Sequence, residues 1–508
     1  MSNLVAKLNA SIGLSYILVG TVIGLLFFQI NPYQGWGDDY ALYIHQAIAM
    51  KDGTLSQLFS ENALMMSYYK LGPNLYPPAY PLFLLIPLSL FGMSIIHFKI
   101  FNLIIFCVTL LIIHKILKIH HFSESQRKLS ILAITLNFNF IEFQQNLYSD
   151  IFCLFSLSFY YWSIINFRFL DTTFRLSIKH YLLLTTSLAI CIFSKTAYLT
   201  VIPATMAGFI FCLLFTNQPR KIVLVRGFSY CLLAGILLLI NTQYPFNGGK
   251  NEMSEFSNYS IIESIKGNLY NNSSYILQIY TKGIFEFLHF FQLGIPKNLL
   301  KLLVGLPFLV FLFSTSFIYF KKTFQEKNWK GVIVICFSFA LFGLYLIWPG
   351  NQGPRFFFPL YLIIIPCSIY ALGLIPMKSS LKNGAHVILV LMMSTFGIFT
   401  LYDDLANKQA EIKSFEDSSI VGSIDFNNCM EYLKKCPLDN RKFIGCSKAR
   451  LIHLYTAKKS IVASNQNAAN CQYLVLLSTD EYVNSSDLIR AYSLEKKFGE
   501  LYVLKRKS

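Results

Sequence analysis

The chain has 508 residues, of which 54% are hydrophobic, 16% aromatic and 14% charged, with a formal net charge of +17 and a mean hydropathy of +0.49. So apolar a composition excludes a soluble globular surface, and helix-length apolar runs recurring from residue 8 to residue 401 mark a polytopic membrane protein. The positive charge is spread through the short loops between those runs, where it sets orientation, and no nucleic-acid partner is expected.

In chain order, about eleven membrane helices are predicted, near 8–30, 95–118, 129–145, 150–167, 179–195, 197–216, 225–243, 301–320, 331–348, 356–376 and 385–401. The first lacks a small-residue cleavage site at its end, "FFQINPYQ", and is read as a retained signal-anchor. Next comes "GDDYALYIHQAIAMKDG", predicted as one helix at the membrane surface. Gly37 or Asp38 caps it, Asp52-Gly53 ends it, and Tyr40, Ile44, Ala47 and Ile48 form its apolar stripe. The run 79–93 is short for a span and is bracketed by Tyr76-Pro77-Pro78 and Gly92, so a re-entrant or interfacial segment is expected there. These elements make up an outer loop 31–94; a second outer loop, 244–300, is expected to carry short helices such as 284–294.

With that arrangement all the strongly basic loops share one side. The N-terminus and loops 114–128, 168–180, 217–226, 321–330 and 377–386 hold 17 Lys and Arg against only the acids Glu124, Asp171 and Glu326, whereas the other side, up to residue 402, holds ten of each. The positive-inside rule puts them in the cytoplasm and puts Asp38, Asp39 and everything after residue 402 outside.

Residues 1–402 thus form a membrane domain and 403–508 a small soluble α/β domain. In the latter, strand-like runs ("KFIGC", "SIVAS", "QYLVLLS", "LYVLKR") alternate with amphipathic ones ("CMEYLKK", "ARLIHLY", "DLIRAY"). Cys429, Cys436, Cys446 and Cys471 lie there, and an exported domain with an even cysteine number is expected to hold at least one disulfide, in any pairing. The fold class is therefore mostly α, polytopic, with a soluble α/β C-terminal domain.

Five charged positions fall at outer helix ends. Asp38 and Asp39 follow the first span; Asp150 opens the fourth, Lys195 closes the fifth and Arg355, after Gly353-Pro354, opens the tenth. Read blandly, the acid pair favours a helix N-terminus through the dipole, by ~0.3–1 kcal/mol each, and Lys195 is a snorkelling anchor. Against that stands the cost of two adjacent carboxylates beside lipid, which points to a site. His45, His97 and His289 read as ordinary polar or interfacial residues.

The order of these motifs resembles the GT-C superfamily of membrane glycosyltransferases, in particular protein O-mannosyltransferases and lipid A aminoarabinose transferases. The features that carry it are the signal-anchor, Asp38-Asp39 with Tyr43, "YPPAYPL", "SD" opening a span, "SKTAYL" between two spans, and "GPRFFFPLY". Asp39 departs from the family's usual Asp-Glu pair. The resemblance implies inverting transfer of a sugar from a polyprenyl-phosphate donor to a hydroxyl of a lipid, glycan or protein acceptor, outside the cytoplasm of a bacterial inner membrane. It gives Asp38 the role of general base, with Asp39 holding the acceptor or tuning Asp38. Arg355 and Lys195 would then bind the phosphate, and Tyr43, Tyr76 and Asp150 the substrate. No cofactor is required; a divalent metal is left open, and no metal ligand is assigned. A secondary transporter or lipid-carrier flippase is the rival reading, disfavoured because the acids sit at outer helix ends and no pair of repeated halves is evident. A scaffold presenting its outer domain is the third.

Overall fold

The computed structural model describes residues 2–34, 39–65, 74–144, 146–166, 169, 176–243, 260–290, 297–348, 353–406, 421–464, 467–478 and 491–507. Asp38 lies outside them, as do 244–259 and 291–296 of the second predicted loop.

A long helix, α1 (Ser2–Gln29), is followed by α2 (Asp39–Asp52) and α3 (Leu55–Met65). Then follow α4 (Ala79–Phe91), α5 (Ile95–Ile119), α6 (Glu124–Thr135), α7 (Phe138–Gln144), α8 (Asp150–Asn166) and α9 (Ile178–Ile192). A 3-10 turn over Thr196–Thr200 starts α10 (Val201–Phe215), after which come α11 (Arg220–Gln243), α12 (Ile261–Phe290), α13 (Lys297–Gln325) and α14 (Trp329–Ile347). A second 3-10 turn, Pro354–Phe357, opens α15 (Phe358–Leu374), and α16 (Ser379–Ala406) ends the bundle.

Among the described residues six helices are long and apolar enough to cross a membrane: Ile95–Ile119, Thr196–Phe215, Arg220–Thr242, Trp329–Ile347, Pro354–Leu374 and Ser379–Tyr402. They coincide with the predicted runs near 95–118, 197–216, 225–243, 331–348, 356–376 and 385–401. At 13 residues, α4, which is not among the eleven predicted spans, rises only ~20 Å, against the ~30 Å of a bilayer core. The run predicted as one span over 129–145 is broken, because the Asn137 side chain accepts the backbone N–H of Asn139 at 3.1 Å and starts a new helix there. Gly397 of α16 packs against the backbone at this break; a β-carbon at 397 would meet the Leu136 carbonyl oxygen at 1.8 Å.

A second correction concerns 244–300. Where short covering helices were expected, α12 runs unbroken for 30 residues and packs within the bundle. Its Asn268 donates to the carbonyls of Leu346 and Trp348, and Asn272 to that of Tyr345, satisfying the orphan acceptors at the end of α14. Deeper down, Tyr280 and Ser368 of α15 share a buried hydrogen bond of 2.6 Å.

The C-terminal residues form α17 (Ile424–Lys435), α18 (Ala449–Thr456) and a five-stranded sheet: β1 (Phe443–Cys446), β2 (Ser460–Val462), β3 (Cys471–Leu477), β4 (Tyr492–Phe498) and β5 (Leu501–Arg506). The order is β2-β1-β3-β5-β4, with the first three strands parallel and the last two antiparallel. Strand β4 has no counterpart in the sequence reading. All but its two end residues are exposed, as an edge strand allows, so it shows no apolar alternation.

This unit does not stand apart from the bundle. Val421, Phe426, Cys429, Leu451 and Ile452 share one hydrophobic cluster with Tyr40, Tyr43, Ile44, Tyr80 and Phe98. Gln34 pairs with Val421 as an isolated antiparallel bridge, and the Arg450 Nε donates to Asn62 Oδ1 at 2.8 Å. The rings of His45 and His453 meet edge to face at 4.8 Å, and His453 Nε2 lies 3.5 Å from Glu61. At the other end of the linker after α1, the buried Lys99 ammonium donates to Asn31 Oδ1 and the Tyr33 carbonyl, fixing the approach to α2.

The disulfide expectation is corrected as well. Cys429, Cys436, Cys446 and Cys471 are all free thiols, and all are buried. Cys471 packs on the opposite side of the sheet from the other three, in a cluster with Ile461 and Leu474. Burial pushes the thiols of Cys429 and Cys471 up to about 12, which leaves little thiolate to oxidise.

Two measurements follow. In the native protein these four thiols should resist iodoacetamide, and all four should alkylate after denaturation; a mass corresponding to a bridged pair would reverse the correction. The domain contact should also be acid-sensitive. Burial, then His453 and Arg450, push the His45 pKa down to about 3, below the ~6.5 of an unperturbed histidine. The unfolded chain binds more protons in that window, so the stability His45 contributes is complete above ~6.5 and is lost as pH falls toward 3. His45→Phe should narrow the drop in melting temperature between about pH 7 and about pH 4.5; an unchanged drop would assign it to other groups.

Candidate active site

Four of the predicted positions converge at one end of the bundle, each delivered by a helix start or a break. Asp39 is the first residue of α2 and Asp150 the first of α8. Lys195 stands in extended backbone between α9 and the 3-10 turn. The loop holding it is pinned by Ser194, whose hydroxyl bonds the Ser156 hydroxyl at 2.8 Å and donates to the Cys191 carbonyl. Arg355 follows Gly353, whose φ of 76° is open to glycine at little cost, and Pro354, which occupies the first 3-10 position.

The charges are paired across these elements. The Lys195 ammonium donates to Asp150 Oδ1 at 2.9 Å; Asp150 is buried, 5% exposed, and Lys195 largely so, at 12%. Lys195 therefore is no snorkelling anchor. Its ammonium also sits 3.8 Å from the centre of the Phe356 ring, a cation–π contact. Arg355 Nη1 lies 3.6 Å from Asp39 Oδ2, with both groups about a third exposed. The guanidinium has the Tyr148 and Phe356 rings at 5.5 and 5.6 Å. One ion pair is thus closed and buried, while the other is open to the outside.

Tyrosines line the space beside the acids. The Tyr76 phenol donates to Asp39 Oδ1 at 2.7 Å. Burial, then the Asp39 charge, push that phenol well above the usual range, so it stays a donor. Tyr43, one turn after Asp39, shares a 3.0 Å hydrogen bond with Ser149, the neighbour of Asp150. Its ring is 4.5 Å from that of Tyr76 and 5.0 Å from that of Tyr80. Gln34 braces the approach to Asp150 by accepting from the Leu147 amide and donating to Asn146. The sequence reading missed Tyr80, Tyr148 and Phe356; the aromatic crowding of "YPPAYPL" and "GPRFFFPLY" was the available signal.

No group of three His, Cys, Asp or Glu side chains among the described residues converges on a point a metal could occupy. Asp39 and Asp150 each face a cation instead. Of the three histidines named above, His45 meets His453, and His97 bonds Ser94 and stacks on Phe91; nothing about the His289 side chain is described.

A cavity of about 550 Å³ lies between α12, α13, α14 and α15, walled by apolar side chains such as Phe313, Phe317, Phe342, Leu360 and Ile364. Leu360, on its wall, follows Arg355 by five residues in the chain.

The closed ion pair can be tested directly. Lys195→Met strands a buried carboxylate and should cost ~3–5 kcal/mol of stability, the usual penalty for breaking a buried pair from one side. The double variant with Asp150→Asn should recover part of it in thermal melts; equal losses for single and double variants would deny the coupling.

Sequence comparison finds no family model and no curated relative that matches the chain. Solved structures do match. The crystal structure of ArnT from Cupriavidus metallidurans bound to undecaprenyl phosphate is 10% identical, over 97% of this chain and 98% of that one, with a TM-score of 0.52. The archaeal oligosaccharyltransferase AglB from Archaeoglobus fulgidus, in complex with an inhibitory peptide and a dolichol-phosphate, is 11% identical over 96% of this chain and 74% of that one, also at 0.52. The Archaeoglobus fulgidus oligosaccharyltransferase in complex with Zn and sulfate is 13% identical over 96% and 72%, at 0.53. The resemblance carried by the order of the motifs is borne out at the level of fold. The chain is an integral multi-pass membrane protein with the GT-C fold.

Proposed function

We propose that the protein is a membrane glycosyltransferase that moves a sugar from a polyprenyl-phosphate-linked donor to a hydroxyl acceptor. The observation that carries this reading is the convergence of Asp39, Asp150, Lys195 and Arg355 at one corner of a bundle that also holds an apolar cavity of about 550 Å³. A lipid-linked phosphate needs cations for its head and an apolar channel for its tail; Arg355 supplies the first, and the cavity wall at Leu360, on the helix that follows Arg355, offers the second. The undecaprenyl phosphate and dolichol-phosphate bound to two proteins of the same fold support the choice of donor.

In this reading the donor phosphate binds Arg355, whose contact with Asp39 is loose at 3.6 Å and partly open. A guanidinium can take two phosphate oxygens at once. The lipid tail runs down α15 past Leu360 into the cavity. Lys195, held by Asp150, adds a second fixed positive charge from below. The acceptor hydroxyl attacks the anomeric carbon, the bond from that carbon to the phosphate oxygen breaks, and its electron pair leaves with the phosphate. Fixed cations stabilise the charge that develops there. Asp38, next to the first residue of α2, takes the hydroxyl proton as general base. Asp39, held by Tyr76, orients the acceptor, and Tyr43 lines the same wall. One attack without a covalent enzyme intermediate inverts the anomeric centre. No step is assigned to a metal. The basic loops at the far end of the bundle favour a site that opens outside the cytoplasm of a bacterial inner membrane. The acceptor is a lipid, a glycan or a protein.

Purified protein in lipid nanodiscs, titrated with undecaprenyl phosphate, tests the reading. Arg355→Ala should weaken binding of that lipid. Asp38→Asn should leave binding intact and lower single-turnover transfer from polyprenyl-phosphate-sugars by ~10²–10⁴, the usual range for loss of a general base. Binding that ignores Arg355→Ala, or wild-type transfer in Asp38→Asn, would overturn the assignment.

A further inference from the structure

A buried carboxamide lies beside the site without a role so far. Gln46 is 0% exposed and sits seven residues after Asp39 on α2. Its Nε2 donates to the Tyr76 carbonyl at 2.6 Å, and its Oε1 accepts the Tyr76 backbone N–H at 3.0 Å. One side chain therefore meets both backbone groups of one residue, as the neighbouring strand of a sheet would. This fixes the backbone of Tyr76 in orientation as well as in place.

Asp39, Tyr43 and Gln46 are spaced i, i+4, i+7 and so form a single stripe along α2. Tyr76 lies lengthwise on that stripe. Its backbone is held at Gln46, its ring rests 4.5 Å from that of Tyr43, and its phenol reaches Asp39 Oδ1 at 2.7 Å. The other carboxylate oxygen, Oδ2, is the one that faces Arg355 at 3.6 Å. With Oδ1 held by a fixed donor, the carboxylate plane cannot turn freely, and Oδ2 stays directed at the guanidinium.

We propose that Gln46 is a positioning residue: it sets where the Tyr76 phenol sits, and through it the orientation of the Asp39 carboxylate. This rests on the reading of Asp39 and Arg355 as part of a donor–acceptor site, but it can be tested without turnover. The alternative is that Gln46 only satisfies two buried backbone groups, in which case it affects stability and not Asp39.

The test measures modification of Asp39 by dicyclohexylcarbodiimide in the full chain, mapped by mass spectrometry, for Gln46→Met, Tyr76→Phe and the double variant. Tyr76→Phe keeps the backbone clasp and the ring and removes the phenol. Each single variant should speed labelling of Asp39 by about tenfold, the scale of one lost hydrogen bond to a charged group. The double variant should be no faster than Tyr76→Phe alone, because both act through the same contact. Wild-type labelling in Gln46→Met, or effects that multiply in the double variant, would overturn the proposal. So would an absence of faster labelling in Tyr76→Phe. If Gln46→Met does not fold, Gln46→Glu, which keeps the shape and the acceptor oxygen, takes its place in the same comparison. These outcomes are separate from undecaprenyl phosphate binding by Arg355, so the positioning claim can fail while the functional reading stands, and the reverse.

Discussion

The architecture of the site depends on one buried ion pair. Asp150 is 5% exposed and can keep its charge there because the Lys195 ammonium donates to it at 2.9 Å. Removing two charges from water costs several kcal/mol for each unless geometry and further bonds offset it. Here the offset comes from the start of α8, the Phe356 ring and the close contact itself. The pair requires Lys195 to leave the helix, so α9 stops at Ile192 and the chain restarts in a 3-10 turn. It also brings Phe356, and with it Arg355, to the same corner. Asp39, Tyr43 and Tyr76 then close the remaining side. The second ion pair, between Arg355 and Asp39, is wider and more exposed, which leaves it open to competition from an incoming anion.

The sequence made much of this legible because membrane helices leave a strong record. Most predicted runs correspond to a helix within a few residues, and the charged positions stand out because charge at a lipid boundary is rare. What escaped was whatever depends on tertiary partners. The break at Asn137 is set by its own side chain and by the close approach of Gly397, and neither changes the hydropathy of 129–145. The region 261–290 is rich in Asn, Ser and Tyr and looked like loop. Its polar side chains serve the bundle instead, capping the carbonyls at the end of α14. In the site, Asp39, Asp150, Lys195, Arg355, Tyr43 and Tyr76 were all named from their motifs. Their pairing was not, since no spacing says that position 195 meets 150 or that 355 meets 39. Gln46 was invisible because one glutamine on an amphipathic helix has no pattern.

The same limit hid the relation between the two parts of the chain. Composition divides them near residue 402. Packing does not respect it. The helix that begins with Asp39 buries Tyr40, Tyr43 and Ile44 against Phe426, Leu451 and Ile452, so a wall of the site is shared core. Arg450 also bonds Asn62, whose amide reaches the Asn74 carbonyl two residues before Tyr76. The C-terminal unit thus supports the tyrosine that holds Asp39.

That shared core has a consequence for how the protein is made. The helix α2 leaves the ribosome near residue 50, whereas α18, which packs on it, follows some 400 residues later. At ~5–20 residues per second, that gap lasts roughly 20–80 s. Throughout that time the face of α2 that joins the shared core lacks its partner. Any chain that ends early, by arrest or by proteolysis after residue 406, keeps the helices but leaves Tyr40 and Ile44 bare. The site is therefore completed only by the segment after residue 406, and synthesis itself keeps unfinished copies from having a whole one.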